Sequence, residues 1–105
     1  MREYPIGIPQ AALADFCRRH DIRSLALFGS VLRSDFGPHS DVDILVEFAP
    51  QARRDLWDHY FMREELQRLL GREVDIVNRN ALQDSHNWIR KRAIIENAET
   101  IYVAG

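Results

Sequence analysis

The chain has 105 residues, 46% of them hydrophobic, and a formal net charge of −2. This length suits one domain, residues 1–105, and the composition argues against disorder. The near-neutral charge favours neither nucleic acid nor a membrane as a partner, and no apolar run reaches the roughly 18 residues of a membrane span. The single cysteine, Cys17, excludes an internal disulfide and is typical of a small buried residue in a cytoplasmic protein.

Hydrophobic periodicity and turn residues predict seven elements along the chain. In order, they are a helix over residues 9–20, a strand over 24–28, a short helix over 30–33, a strand over 41–48, a helix over 55–71, a strand over 73–77 and a helix over 82–98. This order predicts an α/β (α+β) fold with a small mixed sheet and helices packed on one face.

The two long helices carry the bulkiest candidate core residues. The helix over 55–71 contributes three aromatic side chains: Trp57, Tyr60 and Phe61. The last helix contributes Trp88, Ile89 and Ile95. We expect these side chains to be buried, although the aromatic surplus of the first group could instead form a patch that binds a partner.

Two aspartates, Asp41 and Asp43, lie one residue apart at the start of a predicted core strand. Side chains two positions apart on a strand point to the same face, so both carboxylates can reach one cation, and without it they repel each other. Magnesium prefers carboxylate and phosphate oxygens. Asp75, on the polar face of the next strand, is a candidate third ligand if the two strands are neighbours. Taken singly, each aspartate could equally be solvated surface.

A Gly-Ser pair, Gly29 and Ser30, stands at the turn between the first strand and the short helix. A glycine there lets the backbone approach a ligand closely, and the following amides and the Ser30 hydroxyl favour an anion. Arg33 could contact a phosphate or brace the turn through Asp35. Together with the aspartates, this turn predicts a site for a triphosphate and metal ions.

At these residues the sequence resembles the nucleotidyltransferase superfamily that includes DNA polymerase beta. The resemblance is carried by Phe28-Gly29-Ser30, a ten-residue gap and Asp41-Val42-Asp43-Ile44. The extended pattern over residues 28–35 and 40–48 is most similar to the minimal nucleotidyltransferases, the MNT proteins, with residues 74–77 as the strand of the third carboxylate. Ser34 departs from the glycine that these proteins often carry after the arginine.

The resemblance implies a nucleotidyltransferase fold and an enzyme that transfers a nucleotidyl group, by family habit AMP from ATP, to a hydroxyl. It implies two Mg²⁺ ions held by Asp41 and Asp43, with Asp75 on the acceptor-side ion and able to receive the acceptor proton. Gly29 and Ser30 would hold the β and γ phosphates.

Members of the MNT family commonly act as antitoxins of HEPN-type toxins, and some modify a tyrosine of that partner. The resemblance therefore implies a HEPN-type toxin as the acceptor. Two alternatives stay open: an antitoxin that neutralises its partner by binding alone, and a nucleotidyltransferase that acts on a small molecule or an RNA end.

Overall fold

The structure, a computed structural model, describes residues 4–52, 56–84 and 86–104. Its elements are, in chain order, α1 (Gln10–Arg19), β1 (Ile22–Phe28), a short 3₁₀ helix (Gly29–Leu32), β2 (Val42–Phe48), α2 (Leu56–Leu70), β3 (Val74–Asn78), α3 (Arg79–Gln83), α4 (Trp88–Asn97) and β4 (Glu99–Val103). The first six confirm the predicted elements to within two residues at each described end. The predicted start of the long helix at Asp55 lies outside the described residues.

The four strands form one mixed sheet in the order β3-β2-β1-β4. β1 is antiparallel to both β2 and β4, whereas β2 and β3 run parallel. Parallel neighbours need a long crossover connection, and α2 provides it here. The predicted small mixed sheet is therefore confirmed, and β2 and β3 are neighbours.

One face of the sheet packs against α1 and α2. The two central strands direct Leu25, Leu27, Ile44 and Val46 to this side. The helices supply Leu13, Phe16, Cys17, Met62, Leu66 and Leu70. The predicted burial of Cys17 is confirmed, since its side chain has no exposed surface.

The other face of the sheet is also covered, which corrects the expectation that the helices pack on one face. Ala26, Phe28 and Leu45 form a second cluster with Leu82 of α3 and Ile94 of α4. The physical reason is that apolar and polar residues do not alternate along the centres of β1 and β2, where consecutive residues are apolar. Leu45 lies between two core residues and is itself buried, so the central strands need cover on both sides.

The C-terminal region differs from the single predicted helix over 82–98. Two asparagines begin two separate helices: the Asn78 side chain accepts hydrogen bonds from the N–H groups of Asn80 and Ala81, and Asn87 accepts one from Arg90. The chain then leaves α4 at Ala98 in an extended conformation and forms β4. The run Glu99–Val103 is rich in β-branched and aromatic residues, which favour a strand.

Most of the predicted aromatic core residues are exposed. Trp57, Tyr60 and Phe61 have 69%, 52% and 59% of their surface accessible, because the inner face of α2 is formed by Met62 together with Leu66 and Leu70, two apolar positions of the predicted helix.

On α4, Trp88 and Ile89 are likewise exposed, and Ile94 is the buried residue. Ile95 is partly buried against the second cluster. Within the described ranges, no helix combines the length and the apolar character that a membrane crossing requires.

Candidate active site

The sheet brings two of the predicted aspartates side by side. Asp43 on β2 is directly opposite Asp75 on β3 in the parallel register. Neighbouring strands lie about 4.8 Å apart, and opposed residues of parallel strands point to the same face. Asp41 lies two residues before Asp43, immediately ahead of β2. Asp43 and Asp75 therefore stand on the same sheet face, the face that α3 and α4 cover further along, and Asp41 is near enough for its charge to act on Asp43.

Asp43 is held against the Gly29 turn. Phe28, the last residue of β1, is opposite Asp43 on β2, so the chain turns away directly beside this carboxylate. Gly29 has a φ of +74°, and a Cβ at this position would lie 2.1 Å from the Asp43 Oδ2 atom. Only glycine fits both the backbone conformation and the close approach.

The backbone amide of Ser30 is hydrogen-bonded to the Asp43 carboxylate. Its backbone N–H donates to Asp43, so this group positions the acid and leaves the Ser30 hydroxyl as the polar group that can face a ligand. The predicted anion-favouring turn is present as a 3₁₀ helix, Gly29–Leu32, but its first amide after the glycine is directed to an acidic side chain.

The charges of two acidic neighbours act on Asp43. Burial, followed by the charges of Asp75 and Asp41, raises the pKa of Asp43 above its usual value of 3.8. The charge of Arg33 and the hydrogen bond from Ser30 act in the opposite direction. The net effect is that the ionised form of this carboxyl is disfavoured, a cost that a bound cation would relieve.

The donor set fits a hard divalent cation, since it consists of carboxylate oxygens whose mutual repulsion a metal would relieve. In the side-chain positions seen here, no three His, Cys, Asp or Glu residues of the described ranges are gathered closely enough to hold a metal ion. Asp41 and Asp75 are exposed and Asp43 is half-buried. Binding would therefore require the two exposed side chains to turn toward the fixed one.

Arg33 follows the turn and lies at the edge of a cleft. Its Nε atom donates to the Asp35 Oδ1 atom at 3.2 Å, the bracing contact that the sequence suggested. The cleft has a volume of about 550 Å³, a size typical of ligand sites. It is lined by Phe28, Gly29, Leu32, Arg33, Ala93, Ile94, Asn97 and Glu99.

The far wall of this cleft was not predicted. Ala93, Ile94 and Asn97 come from α4, and Glu99 is the first residue of β4. The predicted helix over 82–98 extends across this region, and no strand was predicted there. The β-branched run after Ala98 is the signal that could have revealed the change of element.

Residues 10–101 match the family model described as nucleotidyltransferase domain. The chain therefore belongs to the nucleotidyltransferase domain family, and it is an enzyme of that class. The resemblance drawn from the Gly-Ser turn and the aspartates is confirmed at the level of the family.

Among its relatives are protein adenylyltransferases and minimal nucleotidyltransferases. A provisionally named protein adenylyltransferase of Methanocaldococcus jannaschii is 33% identical over 85 residues, covering 81% of this chain and 80% of the relative. A solved structure of a provisionally named minimal nucleotidyltransferase is 31% identical, with a TM-score of 0.65 and 86% of each chain covered.

A further neighbour is a complex of tri-AMPylated Shewanella oneidensis HEPN toxin with MNT antitoxin. Its matching chain is 18% identical, with a TM-score of 0.59 and coverage of 90% of this chain and 70% of that one. This likeness shows the shared fold.

Proposed function

We propose that this chain transfers AMP from ATP to a tyrosine hydroxyl of a HEPN-type toxin and thereby acts as its antitoxin. The observation that carries the proposal is the position of Asp43, held against Gly29 on one side and opposite Asp75 on the other. This arrangement gathers carboxylates beside a turn whose glycine leaves no side chain in the way. Because the reaction consumes ATP, we propose the cytoplasm as its compartment.

In this proposal the triphosphate lies along the Gly29 turn, with the Ser30 hydroxyl and the Arg33 guanidinium as its polar contacts. Asp41 and Asp43 would hold two Mg²⁺ ions, and Asp75 would hold the one on the acceptor side. Bound there, the ions would lower the pKa of the acceptor hydroxyl and offset charge on the leaving phosphates.

The chemistry is a single displacement at phosphorus. The acceptor oxygen forms a bond to the α-phosphorus of ATP while the bond from that phosphorus to the bridging oxygen breaks, and pyrophosphate leaves. The acceptor proton passes to the Asp75 carboxylate. Burial and the charges of Asp75 and Asp41 raise the pKa of Asp43, and a cation bound there would offset that repulsion.

The choice of a protein acceptor is supported by the exposed side of α2. Trp57 stacks on Phe61 with ring centroids 6.3 Å apart, and Tyr60 meets Phe61 edge-on at 5.5 Å, although all three rings are more than half exposed. Exposed aromatic groups are enriched where proteins contact each other. The AMPylated HEPN toxin of the structural neighbour supplies the partner class.

The test is a labelling reaction with α-³²P-ATP, Mg²⁺ and a HEPN-type toxin co-purified with this chain. We expect label on the toxin, at least a 100-fold loss of it in the double variant Asp41→Asn, Asp43→Asn, and no loss in Asp84→Asn. Asp84 is an exposed aspartate at the end of α3 and serves as the matched charge control.

The two open alternatives are distinguished by this labelling assay and by an assay of toxin neutralisation with the same variants. Label on RNA or a small alcohol, with none on the toxin, contradicts the proposed acceptor. Full neutralisation of the toxin by the double variant contradicts catalysis as the mechanism and leaves binding alone.

A further inference from the structure

Arg72 lies in the turn between α2 and β3, half-buried, and reaches across to the segment that precedes Asp41. Its Nη2 atom donates to the carbonyl oxygens of Gly37 and Ser40, each at 2.6 Å. Its guanidinium also lies over the Phe36 ring, 4.5 Å from the centroid. One side chain therefore holds both ends of the turn at residues 37–40.

That turn is closed by its own bonds as well. The Gly37 N–H donates to the Ser40 Oγ atom at 3.0 Å, and the Ser40 N–H donates to the Gly37 carbonyl at 3.1 Å. Both bonds run between the two residues whose carbonyls Arg72 binds. The turn is thus a small unit that Arg72 attaches to the start of β3.

The residue after Asp41 is attached to the same place. The Val42 N–H donates to the Glu73 carbonyl at 2.9 Å, so Ser40 and Val42, the two neighbours of Asp41, are bound by the consecutive residues Arg72 and Glu73. Two residues further along, the same segment carries Asp75. The backbone positions of Asp41 and Asp75 are consequently set by one short stretch of chain.

Helix α2 in turn holds this stretch. The Val74 N–H donates to the Gln67 Oε1 atom at 3.2 Å, and the Arg63 Nε atom donates to the Val74 carbonyl at 3.3 Å. These bonds give partners to the backbone N–H and carbonyl of Val74 on the outer edge of β3, at the residue before Asp75. The stretch of chain that holds Asp41 is therefore itself hydrogen-bonded to helix α2.

We propose that Arg72 is a positioning residue that places Asp41 relative to Asp75 by holding the turn at residues 37–40. The proposal rests on the proposed function, because it assigns Asp41 a role in catalysis. Asp43 does not depend on Arg72, since the Gly29 turn and the Ser30 amide hold it from the other side. A misplacement of about 1 Å in a catalytic group is enough to cost on the order of 100-fold in rate.

The test compares Arg72→Ala and Arg72→Lys with Arg68→Ala, an exposed arginine in the last turn of α2. We expect Arg72→Ala to lower kcat for AMP transfer by about 10- to 100-fold and to raise the Mg²⁺ concentration needed for half-maximal rate. Lysine keeps the charge but not the planar group that stacks on Phe36, so Arg72→Lys should recover only part of the rate. Arg68→Ala should match the wild type.

Amide hydrogen exchange of the metal-free protein supplies a readout that does not depend on activity. Exchange at Val42 and Ser40 should accelerate at least 10-fold in Arg72→Ala, while exchange at Ile44 on the same strand stays unchanged. Wild-type exchange at both positions overturns the proposal, and so does wild-type kcat in a folded Arg72→Ala protein. If that variant does not fold, Arg72→Lys decides by the same two measurements.

Failure of the proposed function would look different. In that case the wild-type chain transfers no label to any toxin, and the exchange rates of Arg72→Ala still show whether Arg72 holds the turn.

Discussion

The Asp43 carboxylate lies beside the end of β1. It fits there only because residue 29 is glycine and has no Cβ in that space. Two separate requirements meet at Gly29: its φ of +74° is strained for other residues, and an added Cβ would lie 2.1 Å from the Asp43 Oδ2 atom. Gly71 shares the first requirement, with a φ of +68°, but an added Cβ there meets nothing within 4 Å. Comparing alanine substitutions at Gly29 and Gly71 therefore distinguishes the effect of backbone strain from the effect of displacing the Asp43 carboxylate.

We expect Gly29→Ala to lose at least 100-fold in AMP transfer, because the Asp43 side chain must move. Gly71→Ala should cost about 1 kcal/mol of stability, as for a residue forced to positive φ, and retain most of the activity. Chemical denaturation and the labelling assay measure the two quantities. Equal activity losses in both variants would show that strain, and not contact with Asp43, is responsible.

The ionised Asp43 carboxylate should destabilise the metal-free protein. Burial and the charges of Asp75 and Asp41 raise its pKa in the folded chain above the value of 3.8. The folded state thus holds the proton to higher pH than the unfolded state, and this contribution to stability is lost as pH rises through the folded pKa.

We therefore expect Asp43→Asn to raise the free energy of unfolding at about pH 7 without divalent ions, with a gain that shrinks toward about pH 4. Urea denaturation at the two pH values measures it. Asp84→Asn should change neither value. A less stable Asp43→Asn protein at neutral pH would contradict the electrostatic interpretation of this site.

At the scale of elements, α1 and α2 are joined by an ion-pair network. Arg19 donates to Asp15 at 2.9 Å and also pairs with Glu65, which His20 contacts through its Nε2 atom at 3.2 Å. The hydrogen bonds from Arg19 and His20 lower the pKa of Glu65 to about 2. The lowered pKa means that this contribution to stability is present above about pH 4.5 and is lost as pH falls through about 2.

The substitution Glu65→Gln should lower the free energy of unfolding by about 1 kcal/mol at neutral pH, the upper range for a partly solvated network. The difference should vanish as pH approaches about 2. Glu64→Gln is the control, because Glu64 makes no ion pair with another residue of the described ranges. A cost that is independent of pH would point to packing instead of charge.

Helix α4 offers a matched pair of isoleucines. Ile94 is buried in the second cluster, whereas Ile89 has 66% of its surface exposed. We expect Ile94→Ala to cost about 2 to 4 kcal/mol and Ile89→Ala less than about 0.5 kcal/mol. Thermal or urea denaturation measures both. Similar costs would mean that α4 does not cover the sheet as the structure has it.

For the whole molecule, substrate binding and folding are linked because the proposed ligands come from separate parts of the chain. ATP with Mg²⁺ at about 100 times Kd should stabilise the folded state by about 2.7 kcal/mol. The double variant Asp41→Asn, Asp43→Asn should lose most of that gain in a thermal-shift measurement. A full shift in the variant would show that ATP binds away from these acids.

Much of this architecture could be predicted from local patterns. The first six elements follow from periodicity and turn residues, and the Gly-Ser turn and the paired aspartates pointed to the nucleotidyltransferase family. Three predictions failed. The predicted helix over 82–98 is divided between α3 and α4, helices cover both faces of the sheet, and Trp57 and Trp88 lie on the outer sides of their helices. Which side of a helix faces the sheet depends on neighbours that a single helix does not encode. The single-domain assignment and the roles of the site residues stay predictions.

The sequence by itself determined the chemistry that is available: two carboxylates one residue apart, a third on a later strand, and a glycine turn before them. Only the tertiary structure decided that β2 and β3 are neighbours, that Asp43 is opposite Asp75, and that Arg72 holds the turn before Asp41. The physical reason is that side-chain type and spacing are local properties, whereas strand order and register depend on contacts between residues distant in the chain.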